Sequence, residues 1–314
     1  MYSIIVPVYN EEEVIDESYR RLSAVMKSMG EPYELIFVND GSRDRTAEII
    51  YKLSKNDKTV KLLDFSRNFG HQPAVSAGMM YAKGDAVVLI DADLQDPPEE
   101  IITMAAKWKE GYDVVYGKRI SRQGEGFLKI LTAKLYYRIL KSMTSVEIPV
   151  DTGDFRLMDK KVVSAMNSLQ EKNRYVRGLV SWVGFKQVAV EYKRDARFAG
   201  VTKYPLKKML KLAADGITAF SYKPLKIAIG VGFFISAASF LFLLYIVIAK
   251  IFFNVGVVGW ASTIAIVLFS QGIVLIMLGI MGEYIGRIYD EVKNRPNYIV
   301  KEAIGFDEDI AENK

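Results

Sequence analysis

Short apolar runs alternate with longer segments of helical spacing through the first third of the chain. Ser3–Val8, Tyr33–Asn39, Val60–Phe65, Ala86–Ile90 and Asp113–Tyr116 read as strands bounded by turn residues. Between them, segments near Glu12–Met29, Arg45–Lys55, Pro73–Ala82 and Pro98–Glu110 read as helices. That alternation predicts an α/β domain, a parallel sheet with helices on both faces. Further on, Gly124–Ser142 reads as a helix, Asp159–Ser168 as a short one and Gly184–Tyr192 as a strand. Pro205–Phe220 sets lysines against Leu206, Met209, Leu210, Ala213 and Ile217. This suits a helix in the membrane interface or an ordinary amphipathic surface helix.

The pattern changes at Leu225. From there to Gly282 the chain is nearly free of charge, with Lys226 at its start and Lys250 as the interruption. A bilayer span needs about 20 residues, so two transmembrane helices are expected, near Leu225–Ala249 and Val257–Met281. The expected organisation is a large α/β domain over 1–200, a juxtamembrane loop and amphipathic helix over 201–224, a hairpin over 225–282 and a polar tail over 283–314.

Charge orients this arrangement. Lys203, Lys207, Lys208, Lys211, Lys223 and Lys226 precede the first span, and Arg287, Lys293 and Arg295 follow the second. The bias of basic residues puts both flanks in the cytoplasm. Tyr2-Ser3-Ile4-Ile5-Val6 reads as a strand, not as a signal core, so the large domain is expected on the same side. The net charge of +5 reads as attraction to an anionic membrane surface, not to nucleic acid. The absence of cysteine accords with the cytoplasm without proving it.

Candidate chemistry gathers where strands end, as it does in open α/β sheets. Asp91-Ala92-Asp93-Leu94-Gln95 follows the fourth run, with three oxygen-bearing side chains at alternate positions. Such hard ligands suit Mg²⁺ or Mn²⁺ with room left for substrate phosphates. The other ends carry Pro7-Val8-Tyr9-Asn10-Glu11, Asn39-Asp40-Gly41-Ser42 and Ser66-Arg67-Asn68-Phe69-Gly70. Singly, each is explained by packing, a turn or a helix cap. Together they suggest a nucleotide pocket, with Tyr9 stacking on a base, Asp40 accepting from a base N–H and Glu11 from ribose hydroxyls. No G-x-G-x-x-G or P-loop is present, so phosphate must be held by metal and basic side chains. His71, the single histidine, cannot build a zinc site and is expected to be structural or a polar pocket contact. Two further clusters are Asp151-Thr152-Gly153-Asp154-Phe155-Arg156 and the basic loop Arg197–Tyr204.

These motifs, in this order, resemble family 2 glycosyltransferases of the Rossmann-like GT-A fold. More narrowly, they resemble the polyprenyl-phosphate branch related to dolichyl-phosphate mannose synthase, and its bacterial members with two C-terminal membrane helices. The resemblance implies that Pro7, Tyr9, Glu11, Val38, Asp40, Ser66, Gly70, Asp91 and Ala92 contact the nucleotide. It implies that Asp91, Asp93 and Gln95 carry Mg²⁺ or Mn²⁺, and that Arg119, Arg197 and Lys203 hold phosphates. Asp154 falls where family members place a catalytic acid or base, with Asp93 and Arg119 beside it; Asp154 could instead orient Arg156 or the acceptor. Gln170-Glu171-Lys172-Asn173-Arg174-Tyr175 departs from the Gln-x-x-Arg-Trp of processive synthases, which argues against polymerisation. The implied activity is inverting transfer of a hexose, UDP-glucose being the favoured donor, to undecaprenyl phosphate at the cytoplasmic face of a bacterial inner membrane. The implied partners are a nucleotide sugar, a polyprenyl phosphate and the membrane, with no nucleic acid and with room for a homo-oligomer. GDP-mannose:dolichyl-phosphate mannosyl transfer and a non-catalytic nucleotide-sugar-binding membrane adaptor are the alternatives.

Overall fold

A computed structural model describes residues 1–120, 149, 152–195, 218, 221–253 and 259–306. The expected helices Gly124–Ser142 and Pro205–Phe220, and the loop Arg197–Tyr204, lie outside the described residues, Thr218 excepted.

The strands are β1 (Tyr2–Val8), β2 (Tyr33–Asn39), β3 (Val60–Phe65), β4 (Ala86–Leu89), β5 (Val114–Arg119), β6 (Thr152–Asp159), β7 (Gln187–Tyr192) and β8 (Val300–Ile304). They form one sheet in the order β7-β5-β6-β4-β1-β2-β3-β8. β4, β1, β2 and β3 run parallel, as expected. The whole sheet is mixed, because β6 runs antiparallel to β4 and β5, and β8 antiparallel to β3. The predicted all-parallel sheet is corrected on this point.

Helices α1 (Ile15–Met29), α2 (Thr46–Asn56), α3 (His71–Tyr81), α4 (Glu100–Lys109), α5 (Lys160–Ser168) and α6 (Val176–Trp182) cover both faces. β1 lies between two helix layers and is buried on both faces. Tyr2, Ile4, Val6 and Val8 pack under α1, α2 and α4, while Ile5 packs on the face of α3, α5 and α6. A strand buried on both sides has no polar alternation to show.

Two long helices follow, α7 (Lys223–Phe253) and α8 (Trp260–Lys293). Both are long and apolar enough to cross a membrane, and their apolar windows are unburied within the chain. The stretch 283–314 reads as a tail in sequence, yet α8 continues to Lys293 and Val300–Ile304 returns to the sheet as β8.

Candidate active site

The site is built on the edge of the sheet where β1, β2, β3 and β4 end. There the loop after β1 is stitched to the loop after β2. Asn10 adopts a left-handed backbone (φ 53°), which asparagine tolerates. Its amide donates to Ser42 Oγ at 2.9 Å, and its Oδ1 accepts from the Arg43 amide at 2.8 Å. The Glu11 amide donates to Thr46 Oγ1 at 2.9 Å. Asp40 is 4% exposed and accepts from the Phe69 amide at 2.6 Å and the Gly70 amide at 2.9 Å. Burial pushes the Asp40 carboxyl up, and those two amides pull it back. Gly41 (φ 63°) lets the two loops touch, since a Cβ there would lie 2.4 Å from the Arg67 carbonyl carbon. Tyr9 and Glu11 are part-exposed beside this wall, and Ser66 is exposed. Val38 and Ala92 are placed differently from the expectation for nucleotide contacts. Val38 is 0% and Ala92 3% exposed, and both lie in the core behind the loops.

The Asp91–Gln95 stretch forms a turn, not a continuation of the strand. Leu94 is left-handed (φ 57°) and buried with Ala92, and Asp93 Oδ1 accepts from the Gln95 amide at 3.1 Å. The turn, and not strand alternation, therefore brings the three oxygen-bearing side chains into one loop. Burial pushes the Asp91 carboxyl up to about 6; His71 opposes this, while Asp154, Asp96 and Asp93 add to it. Negative charge is thus concentrated where a divalent cation would relieve it. Among the described residues no three His, Asp or Glu side chains converge as a ligand set. The residues fit a Mg²⁺-type site that takes one or two carboxylates from protein and further oxygens from substrate phosphates.

Next along the edge stands Asp154, on β6, 5% exposed. Arg177 grips it through Nε at 2.7 Å and Nη2 at 3.0 Å, and His71 Nε2 lies 3.1 Å from its Oδ2. His71 Nε2 is also 4.0 Å from Asp91 Oδ1. Burial works against the His71 proton, but the Asp154 hydrogen bond and the Asp91 and Asp154 charges prevail and raise its pKa to about 9. The imidazole is therefore charged near neutral pH. Asp154 is opposed by burial and held well below the usual carboxylate range by Arg177 and His71. A carboxylate so held is a poor proton acceptor. Asp154 does not orient Arg156 through its side chain. Arg156 is buried and donates to the Gly153 and Asp154 carbonyls at 3.0 and 3.2 Å, and burial pulls it down to about 10. Sequence reasoning missed Arg177, which lies in the first turn of a short helix with no motif around it. His71, expected as structural or as a polar pocket contact, stands within hydrogen-bond distance of Asp154.

Arg119 closes the edge at the end of β5, near Asp96, Tyr192 and Arg194. Those three were not singled out from sequence; Asp96 follows the metal motif directly and was the legible hint. Arg197 and Lys203 lie outside the described residues.

A family model described as glycosyl transferase family 2 matches residues 3–166. The chain belongs to that family. A second model, the GtrB C-terminal hairpin, matches residues 223–288, the span of α7 and most of α8. The chain is 60% identical over 306 residues to the uncharacterized glycosyltransferase YkcC of Bacillus subtilis, covering 98% of this chain and 95% of that one. It is 43% identical over 301 residues to the bactoprenol glucosyl transferase of Shigella phage SfII, covering 96% and 97%. Among solved structures, mannosyl-3-phosphoglycerate synthase from Rubrobacter xylanophilus is 15% identical, with a TM-score of 0.48 over 70% of this chain and 72% of that one. The protein is a family 2 glycosyltransferase of mixed α/β, GT-A-like fold with a C-terminal pair of apolar helices.

Proposed function

We propose that this glycosyltransferase moves glucose from UDP-glucose to undecaprenyl phosphate, with inversion, at the cytoplasmic face of a bacterial membrane. One observation carries the reading. The acidic turn after β4, the Asp154–His71–Arg177 cluster and Arg119 line one sheet edge in a chain that carries a GtrB-type hairpin. Relatives named bactoprenol glucosyl transferase, at 42–43% identity over nearly their whole length, support the lipid acceptor and the sugar.

In this reading Pro7, Tyr9, Glu11 and Asp40 hold the nucleoside, with Val38 and Ala92 packed in the core behind them. Asp91, Asp93 and Gln95 would hold Mg²⁺ or Mn²⁺, which when bound neutralises the charge of the departing diphosphate. An oxygen of the lipid phosphate attacks the anomeric carbon, the bond to the donor diphosphate breaks, and the nucleoside diphosphate leaves. The attacking oxygen is already anionic near neutral pH, so no residue needs to remove a proton. Asp154 accordingly acts by fixing Arg177 and His71, two cations beside the leaving group, an effect of position and electrostatics. Arg119, Arg197 and Lys203 bind phosphate oxygens.

Purified protein incubated with radiolabelled UDP- and GDP-sugars, undecaprenyl phosphate and Mn²⁺ or Mg²⁺ tests this. Label from UDP-glucose is expected in the organic phase, and chelation is expected to abolish it. Label from GDP-mannose alone would replace the donor assignment, and no lipid label from any donor would overturn the proposal.

A further inference from the structure

Asp96 lies one residue beyond the acidic turn and is 1% exposed. Its Oδ1 accepts the Tyr192 hydroxyl at 2.5 Å, and lies 3.5 Å from Arg119 Nη2 and 3.6 Å from Arg194 Nε. Among the described residues its Oδ2 is buried without a hydrogen bond, and so is Arg194 Nε. Neither guanidinium has therefore closed a two-pronged pair with the carboxylate. Two cations share one anion and keep donors to spare. Isolated buried ion pairs are usually closed and fully hydrogen-bonded, so this open arrangement requires an explanation.

The surroundings fix the two arginines without using them up. Arg119 Nε donates to the Tyr192 hydroxyl at 3.4 Å. The Arg119 head lies so close to Gly153 that a Cβ there would be 2.7 Å from Nη2. The residue after Arg194 donates its amide to the Gln95 carbonyl at 2.9 Å, which pins the end of β7 to the acidic turn. Paired guanidinium groups with free donors suit a phosphate, whose oxygens match their planar forks.

Sheet order says which phosphate. The proposed nucleoside and diphosphate residues end β2, β1 and β4, Asp154 stands on β6, Arg119 ends β5 and Arg194 follows β7 by two residues. From β4 to β5 is two strand spacings, about 10 Å. A displacement needs its nucleophile on the side opposite the leaving group. In sheet order the pair lies past Asp154, on the side of the acidic turn away from the nucleoside strands, the side from which an acceptor would approach.

We propose that Asp96 is a positioning residue, which aims Arg119 and Arg194 together at the phosphate of the lipid acceptor. This rests on the acceptor class given under Proposed function. Asp96→Asn keeps the Tyr192 hydrogen bond but removes the shared charge. In the full-length protein, the expected result is a rise in KM for the polyprenyl phosphate on the order of 10-fold. KM for the nucleotide sugar should stay within about twofold. Arg194→Gln, at a part-exposed side chain, should give the same split, and Tyr192→Phe a smaller one. A purely structural Asp96 would lower active enzyme without separating the two KM values. Should Asp96→Asn fail to fold, Arg194→Gln decides alone. Equal shifts in both KM values, a shift in donor KM only, or no shift overturns the proposal. Absence of lipid labelling by the unsubstituted protein would sink the acceptor reading as well, whereas normal labelling without the split sinks this proposal alone.

Discussion

Asp154 shows how environment assigns a role to a residue. Carboxylates with raised pKa serve as bases or acids near neutral pH. Asp154 sits at the other extreme, with Arg177 and His71 holding it ionised. The linkage has a definite sign. A depressed pKa contributes stability above the ordinary value of 3.8, and that stability is lost as pH falls below it toward the folded value. Acid unfolding of the native protein should therefore steepen below about pH 3.8, and Asp154→Asn should flatten that part of the curve. The same variant should lower kcat by about 10²–10³-fold, as loss of an oriented electrostatic contact does. In that variant His71 loses the partner that raises its pKa, so the kcat profile between about pH 6 and 8 should gain a limb as the imidazole deprotonates, not lose one. Loss of a pH-dependent limb in that window would restore the general-base role. In sequence, Asp154 was visible as a position but not as a chemistry, because its pKa is set by residues 83 and 23 positions away. Asp40 illustrates the same limit. It was legible as a polar strand end, but not as a carboxylate already engaged by the Phe69 and Gly70 amides.

At the scale of elements, β1 to β4 were legible because parallel strands buried on both faces are plain apolar runs. β6 was not. Its pattern Thr152–Asp159 buries Asp154 and Arg156 along with Phe155 and Leu157, so functional charges break the apolar run that marks a strand. β8 was missed for another reason. Val300–Ile304 has only five residues, and its partner β3 lies more than 230 positions earlier. No local signal encodes such a pairing. The strand nevertheless anchors the chain as it returns from the hairpin. Tyr298 stacks on Phe65 at 5.1 Å and 7°, the Ser66 amide donates to the Ile299 carbonyl at 3.0 Å, and Lys301 pairs with Asp64 at 3.1 Å. The lysine is mostly exposed, so its ion pair adds little; the stacked ring and the backbone ladder carry the anchor. Tyr298→Ala should cost about 2 kcal/mol, from lost burial and ring stacking, read by denaturant unfolding of the solubilised protein. Unchanged stability would mean that the ladder alone docks β8.

At the scale of the molecule, the catalytic sheet and the apolar helices are joined at a stem. At 1.5 Å per residue α7 is about 46 Å long and α8 about 51 Å, both beyond the roughly 30 Å of a hydrocarbon core. The excess of α8 is charged, beginning at Glu283 and ending at Lys293. Its Tyr284 hydroxyl donates to the Ser221 carbonyl at 2.6 Å, and its Glu291 accepts from the Lys172 amide at 2.8 Å. The apolar part is thus separated from the sheet by about three turns of helix that rest against the catalytic domain. The proposed cytoplasmic placement of this stem and the active site follows from the basic residues on both flanks, and sidedness tests it. The chain has no cysteine, so single introduced thiols report sidedness without background. Gly259 has φ −167° at the start of α8, a conformation open to any residue, and Lys293 is the last residue of that helix. A membrane-impermeant maleimide added to intact cells should label Gly259→Cys and leave Lys293→Cys unlabelled until the cells are permeabilised. The reverse pattern would put the donor pocket on the side without donor. Labelling of both sites in intact cells would mean that the two helices do not form a membrane-crossing pair.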